Sequence, residues 1–107
     1  MSFQNPIPLR LKEARKKAKL SQKALGVRIG MDESSASPRM NQYEKGKHTP
    51  DVQTLKLIAD ELGVPLSYFF CRDSLDAQLI TSIDQLSPAN KKKLLMLIEK
   101  LKDEENE

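Results

Sequence analysis

The segment SPRMNQYEKGKHTP, residues 37–50, carries two amide side chains among several cations just before a glycine. Met40 and Tyr43 are its only large apolar residues, and their spacing of three predicts that both lie on one buried side of a short helix. Amides can hydrogen-bond to adenine edges and arginine to guanine edges, and lysines neutralise phosphates. The residue types of this segment therefore suit contact with DNA, and a plain solvated helix surface is the alternative.

With Met40 and Tyr43 turned inward, a count of 100° per residue identifies the positions that stay exposed on this helix. Glu44 falls near the buried side. The opposite side and the flanks are occupied by Pro38, Arg39, Asn41, Gln42 and Lys45. The start of such a helix also offers free backbone N–H groups to an anion, and residues 46–48 form a turn that suits backbone phosphates.

The residues that enzymes and metal sites need are scarce in this chain. With one cysteine and one histidine it can form neither an internal disulfide nor a cysteine-based zinc site, and Cys71 is expected to be a small hydrophobic residue at the edge of a core. Asp32-Glu33 and Asp60-Glu61 are adjacent pairs, which on a helix point about 100° apart and make poor acid–base partners. No glycine-rich phosphate loop occurs. We therefore expect no enzyme activity, no metal and no cofactor.

Charge and hydropathy point to a polyanionic partner rather than a membrane. No run approaches the roughly 18 apolar residues of a membrane helix, and MSFQNPIPLR has no apolar signal-peptide core. We therefore expect a cytoplasmic protein. Residues 1–50 hold eleven Lys or Arg against four Asp or Glu, whereas residues 51–107 hold seven against eleven. A basic half joined to an acidic half suggests that one face meets a polyanion while the other has a different task.

The elements that must position residues 37–50 can be predicted from periodicity and caps. From Leu9, apolar residues at helical spacing predict a first helix with a strongly basic outer surface. Ser21 is a good N-cap for a second helix, which Gly30 ends. Gly26 inside that helix costs about 1 kcal/mol against Ala, and this favours a close crossing by another helix.

The segments after residue 50 are also helical in pattern. Asp51 caps a helix that Gly63 closes, and Pro65 begins a short helical segment that ends at Phe70. No run alternates as a strand would. We therefore predict an all-α fold.

Its organisation follows from where these patterns begin and end. Residues 9–70 should form a compact bundle of five short helices, preceded by an extended arm at residues 1–8, which contain two prolines. Residues 74–103 should form a C-terminal helical extension, in which Ser87 caps the last helix.

The stretch LSQKALGVRIGM, followed by RMNQYEKGKHTPDVQTLKLIADELGVPLSYFF, resembles the helix-turn-helix of the lambda repressor, Cro and Xre family. The resemblance covers roughly Leu9 to Phe70. Its matching positions are Gln22, Gly26, Gly30, Met31, Met40, Tyr43, Glu44, Lys45, Gly46 and Pro50. It implies a sequence-specific transcriptional regulator that binds double-stranded DNA through a recognition helix at about residues 37–45.

The resemblance also assigns roles to individual residues. The residues expected to face base edges are Ser37, Pro38, Asn41 and Gln42. Arg39 is expected at a base or at a nearby phosphate. Those expected at phosphates are Ser21, Gln22, Lys45 and Lys47. Arg15 would pair with Glu44 and pin the recognition helix to the scaffold, and a loose surface ion pair is the alternative.

One departure from the family pattern lies before the recognition helix. The spacing from Gly30 to Gly46 is four residues longer than usual, and four residues make about one helical turn. The recognition helix could begin one turn earlier, but proline inside a helix costs about 3 kcal/mol. We therefore expect a longer turn, with Ser37 as N-cap and Pro38 at the first helical position.

The C-terminal extension carries more apolar surface than one buried stripe can use. LLMLI, residues 94–98, places apolar side chains on all sides of a helix. We expect this extension to form a homodimer interface, so that two recognition helices read a palindromic operator; packing within the chain is the alternative. A second hypothesis is a protein-interaction module whose acidic half binds a partner such as the toxin of an antitoxin pair, a phage protein or RNA polymerase.

Overall fold

The computed structural model describes residues 3–107 and confirms the all-α fold, with no strand in this range. Six α-helices and one short 3₁₀ helix occur in the described part of the chain. Their bounds are α1 Ile7–Lys17, α2 Gln22–Arg28, α3 Glu33–Glu44, α4 Val52–Leu62, the 3₁₀ helix Leu66–Phe70, α5 Ser74–Asp84 and α6 Pro88–Glu105. Within residues 3–107, no helix is long and apolar enough to cross a membrane.

Side-chain caps begin most of these helices. Ser21, Asp51 and Ser87 each accept a hydrogen bond from the backbone N–H three residues later, at 3.0, 2.8 and 3.2 Å. Each cap satisfies one of the N–H groups that the first helical turn leaves without a partner. At the other end of α4, Gly63 adopts the left-handed conformation with φ of 70°, which glycine tolerates without cost from a Cβ. The predicted ends of α4 are therefore correct.

The core lies among α1 to α4 and the 3₁₀ helix, and α5 contributes Ala77 to it. Its largest apolar side chains are exposed by at most 2% of their surface. They are Leu11, Leu25, Met40, Leu55, Ile58 and Phe69. Burial of this kind contributes about 1.5–3 kcal/mol for each large side chain, which makes this core the main source of stability for the bundle.

The N-terminal arm is shorter than predicted. Helix α1 begins at Ile7, so residues 7 and 8 of the expected arm are helical, and Ile7 is buried. Pro8 lies in the first turn of α1, where its missing N–H would have no partner in any case. Residues 3–6 remain outside helices, and residues 1 and 2 of the predicted arm lie outside the described residues.

The predicted start of the recognition helix is wrong. Helix α3 begins at Glu33 with Asp32 as its N-cap, and Pro38 lies inside the helix rather than at its first position. Ser37 is therefore not a cap. The physical reason is tertiary packing: the additional turn buries Ala36 completely against α2, and a long irregular turn would lose that contact. Pro38 itself is exposed, so its ring meets no packing partner on the outer side of α3.

Helix α6 stands apart from the core. None of its 18 residues is buried, and Leu95, Met96, Leu97 and Leu101 are 49–68% exposed. The chain measures 56 × 36 × 22 Å, and its radius of gyration of 16.5 Å exceeds the roughly 13 Å of a compact domain of this size. The excess is consistent with a helix that projects from the bundle.

Candidate nucleic-acid interface

Helix α3 presents one side to the core and the other to solvent. Ala36, Met40 and Tyr43 are 0%, 0% and 8% exposed, which fixes the rotation of the helix about its axis. Ser37 and Asn41 are half-buried at the side of the helix. The exposed residues are Glu33, Ser34, Pro38, Arg39, Gln42 and the C-cap residue Lys45. The outer face therefore carries a hydroxyl, an amide and cations that are free to meet a ligand.

The C-terminal end of α3 is held to α1 by a two-point ion pair. Arg15 donates from Nε and Nη2 to the two carboxylate oxygens of Glu44, at 2.5 and 2.9 Å. It also donates from Nη1 to the carbonyl of Leu20 at 2.8 Å. The Glu44 side chain is 3% exposed and that of Arg15 11%, and the hydrogen bond that Arg15 donates to Glu44 raises the pKa of Arg15. The fork geometry leaves α3 little freedom to rotate against α1.

Gln22, the first residue of α2, joins this arrangement from the other side. Its amide nitrogen donates to Asn41 Oδ1 and to Glu44 Oε1, each at 3.2 Å. Ser37 donates its hydroxyl to the Gln22 carbonyl oxygen at 3.5 Å. Gln22 is therefore hydrogen-bonded to both Ser37 and Asn41, and all three are residues with predicted DNA contacts. In this arrangement Gln22 orients the side chains on the flank of α3.

Gly26 lies where α2 crosses α3. A Cβ at this position would lie 2.7 Å from the Cβ of Ala36 and 3.1 Å from Met31 Sδ. The first of these distances is shorter than any ordinary carbon contact, and the Ala36 methyl is fixed to the α3 backbone. Only glycine therefore permits the two helices to approach this closely.

The outer face of α3 has opposite charges at its two ends. Lys45 and Lys47 follow the helix, are exposed, and have no carboxylate within ion-pair distance in the part of the chain that the structure describes. At the beginning, Glu33 pairs with Lys23 at 2.9 Å, and this contact lowers the pKa of Glu33. The Ser34 hydroxyl likewise lowers the pKa of Asp32. The cations beyond the C-terminal end of α3 are therefore unpaired among the described residues, whereas the Glu33 carboxylate in its first turn is paired with a lysine.

The first turn of α3 contains residues that were not among the sequence-based site residues. Ser34 and Ser35 lie in the additional first turn of α3, and Ser34 is exposed on the same side as Pro38 and Gln42. The four additional residues between Gly30 and Gly46 allowed for this extra helical turn, but Pro38 favoured a longer loop that ends at residue 37. In residues 3–107, no group of three His, Cys, Asp or Glu is arranged to hold a metal ion.

Comparisons with known proteins found a matching family model and a similar solved structure. The helix-turn-helix family model HTH_3 matches residues 11–69. A solved structure, the crystal structure of transcriptional regulator BswR, is 46% identical to this chain with a TM-score of 0.79, and the match covers 88% of this chain and 93% of that one. It therefore extends beyond residues 11–69 into the C-terminal helices. No curated protein matches the sequence.

Proposed function

The chain belongs to the helix-turn-helix family of DNA-binding regulators, and we propose that it binds a palindromic operator as a homodimer through α3. The observation that carries the proposal is the exposed face of α3, which the Arg15–Glu44 pair holds at a fixed orientation. A recognition helix must be held rigidly, because a displacement of about 1 Å is enough to break a hydrogen bond to a base.

Two kinds of contact with DNA follow from the positions of the side chains. Arg39 and Gln42 are exposed on α3, and we assign them to base edges together with Ser37, Pro38 and Asn41. Lys45 and Lys47 are exposed beyond its end, and we assign them to phosphates together with Ser21 and Gln22 at the start of α2. The first set would give sequence preference and the second would give affinity for any DNA.

Binding measurements on single variants separate these roles. The operator is first selected from random DNA, and affinities are then measured on operator and random duplexes over a range of salt concentrations. Gln42→Ala should narrow the difference between the two duplexes by about 1–3 kcal/mol, whereas Lys47→Ala should weaken both alike and reduce the salt slope by about 1. Gln85→Ala, an exposed amide at the end of α5, serves as the matched control. An equal loss on both duplexes for Gln42→Ala would exclude its contact with a base.

The homodimer is supported by the C-terminal helices. Leu75 and Leu79 on α5 are 62% and 52% exposed, and α6 adds four further large apolar residues that are about half exposed or more. Apolar surface on this scale marks an interaction site more often than a free surface. We propose residues 9–70 as the DNA-binding unit and residues 74–103 as the dimerisation unit, which places two copies of α3 at half-sites about 34 Å apart.

Sedimentation at micromolar concentration tests the dimer. The full chain should sediment as a dimer, and the chain without residues 87–107 should sediment as a monomer whose helical signal falls only by the share of α6, because α6 contributes no buried residue. Leu95→Glu should have the same effect on assembly without shortening the chain. A full-length chain that remains monomeric would exclude the dimer.

The same apolar surface favours a second candidate function, a module that binds another protein. In that case residues 74–103 would contact a toxin, as in an antitoxin, or RNA polymerase rather than a second copy. A gel shift with the protein alone and its own promoter region distinguishes the two functions. A shift at low salt supports the regulator, and its absence supports the interaction module.

A further inference from the structure

A polar cluster lies where α1, the 3₁₀ helix and α5 meet; its members Arg10 and Tyr68 are buried, Glu13 is half-buried and Ser74 is exposed. Arg10 on α1 is 1% exposed, and it donates to Glu13 Oε2 at 2.9 Å and to the Ser74 hydroxyl at 3.2 Å. Tyr68 of the 3₁₀ helix donates its hydroxyl to the same Glu13 carboxylate. Burial, together with Glu13, raises the pKa of Tyr68, so the phenol stays a hydrogen-bond donor at neutral pH.

Arg10 connects the bundle to the C-terminal helices. Its contact with Ser74 spans 64 positions in the chain, and it is the one side-chain hydrogen bond between residues 3–71 and 72–107. Helix α5 also contributes Ala77 to the apolar core, and Ile80 packs against that core. Apolar contacts are not directional and allow a helix to shift, whereas a hydrogen bond from a guanidinium fixes both distance and angle.

The Arg10 guanidinium has few alternative partners. Its Nε is buried and has no acceptor, so Glu13 and Ser74 hold the group between them. Loss of the Ser74 hydroxyl would leave Arg10 held on the α1 side only. The hydrogen bonds of this cluster join α1, the 3₁₀ helix and α5, and none of them involves a described residue of α3.

We propose that Arg10 is a positioning residue that fixes the angle between the DNA-binding unit and α5, and thereby sets the spacing of the two half-sites that the homodimer accepts. The inference rests on the proposed homodimer. Each added base pair moves a half-site by about 3.4 Å along the duplex and about 34° around it. A rigid connection between the DNA-binding unit and α5 permits tight binding at one half-site spacing, whereas a flexible connection permits it at several.

Affinity across a series of operators tests the inference. The half-sites are kept constant, and zero to four base pairs are added between them. For the unchanged protein we expect a loss of about 100-fold or more at two added base pairs, because the second half-site is then out of reach. Ser74→Ala and Arg10→Met should reduce that loss to about tenfold or less, while affinity for an isolated half-site stays the same.

Two control variants separate position from stability. Ser74→Thr keeps the hydroxyl and should retain the original spacing profile. Ser82→Ala removes an exposed hydroxyl of α5 that has no hydrogen-bond partner among the described residues. Sedimentation of each variant establishes whether it dimerises. A monomeric unchanged protein would refute the proposed homodimer. If Ser74→Ala and Arg10→Met dimerise and still show the original dependence of affinity on half-site spacing, the role of Arg10 is refuted. The role is also refuted if Ser82→Ala tolerates added base pairs as well as these two variants do.

Discussion

Replacement of Glu44 by glutamine is expected to be among the most destabilising single changes on the surface of α3. The variant keeps the size of the side chain but leaves the charged Arg15 side chain, 11% exposed, without its anion. Removal of one partner from a buried ion pair costs about 3–5 kcal/mol. The total stability of a small domain is about 5–15 kcal/mol, so Glu44→Gln would remove a large share of it.

The assay is urea unfolding followed by circular dichroism, supported by thermal unfolding. A loss of 3 kcal/mol or more corresponds to a fall in Tm of at least about 12 °C for a domain of this size. A double-mutant cycle with Arg15→Met isolates the interaction itself, and we expect a coupling energy of about 2 kcal/mol or more. The double variant Arg15→Met/Glu44→Gln should therefore be less destabilised than the sum of the single changes.

The chain offers a matched control in the Lys56–Asp60 pair of α4. Its atoms approach to 2.7 Å, but both side chains are about 60% exposed. Asp60→Asn should cost about 0.5 kcal/mol or less, because water screens an exposed pair. If Glu44→Gln costs no more than Asp60→Asn, the Arg15–Glu44 pair is an ordinary surface contact, and the fixed orientation of α3 needs another explanation.

Three further predictions concern packing, acid stability and the first turn of α3. Gly26→Ala should destabilise the bundle by about 1–3 kcal/mol in urea unfolding despite the better helix propensity of alanine, and the reciprocal Gly26→Ala/Ala36→Gly variant should recover part of that loss. The hydrogen bond from the Thr54 backbone N–H lowers the pKa of Asp51 below its ordinary 3.8. The stability that this cap provides is therefore complete above about pH 4 and is lost as the pH falls through the lowered pKa. When unfolding is measured from pH 6 to pH 2, the free energy of unfolding should change less with pH for Asp51→Asn than for the unchanged protein. Ser34→Ala should leave stability unchanged and alter the base preferred at one position of each half-site in DNA selected from random sequence, and an unchanged preference would place this turn outside the groove.

Local patterns predicted most of the fold because each of them has a local cause. The caps at Ser21 and Asp51 and the left-handed Gly63 depend on neighbours within three residues, and the structure has all three. The start of α3 depended on a distant contact instead. Pro38 alone favours a helix that starts at this residue, but the burial of Ala36 against Gly26 outweighs this preference. Gly26 and Ala36 are ten positions apart, and the sequence alone does not show that they are in close contact.

The candidate site shows the same division. The spacing of Met40 and Tyr43 predicted which side of α3 faces the core, because helical periodicity is a local property. The resemblance to a known family, rather than any pattern in the residues, suggested the Arg15–Glu44 pair. Neither approach indicated that Gln22 bonds to Asn41 and Glu44, since that contact depends on how α2 and α3 are placed in space.

Because α6 contributes nothing to the core, substitutions on its surface are released from the requirement to keep the bundle folded. The final twenty residues could therefore change without loss of the bundle. In the proposed homodimer, new pairing preferences would then arise by change in one exposed helix, and duplicated copies would stop assembling with each other before their proposed operators differ.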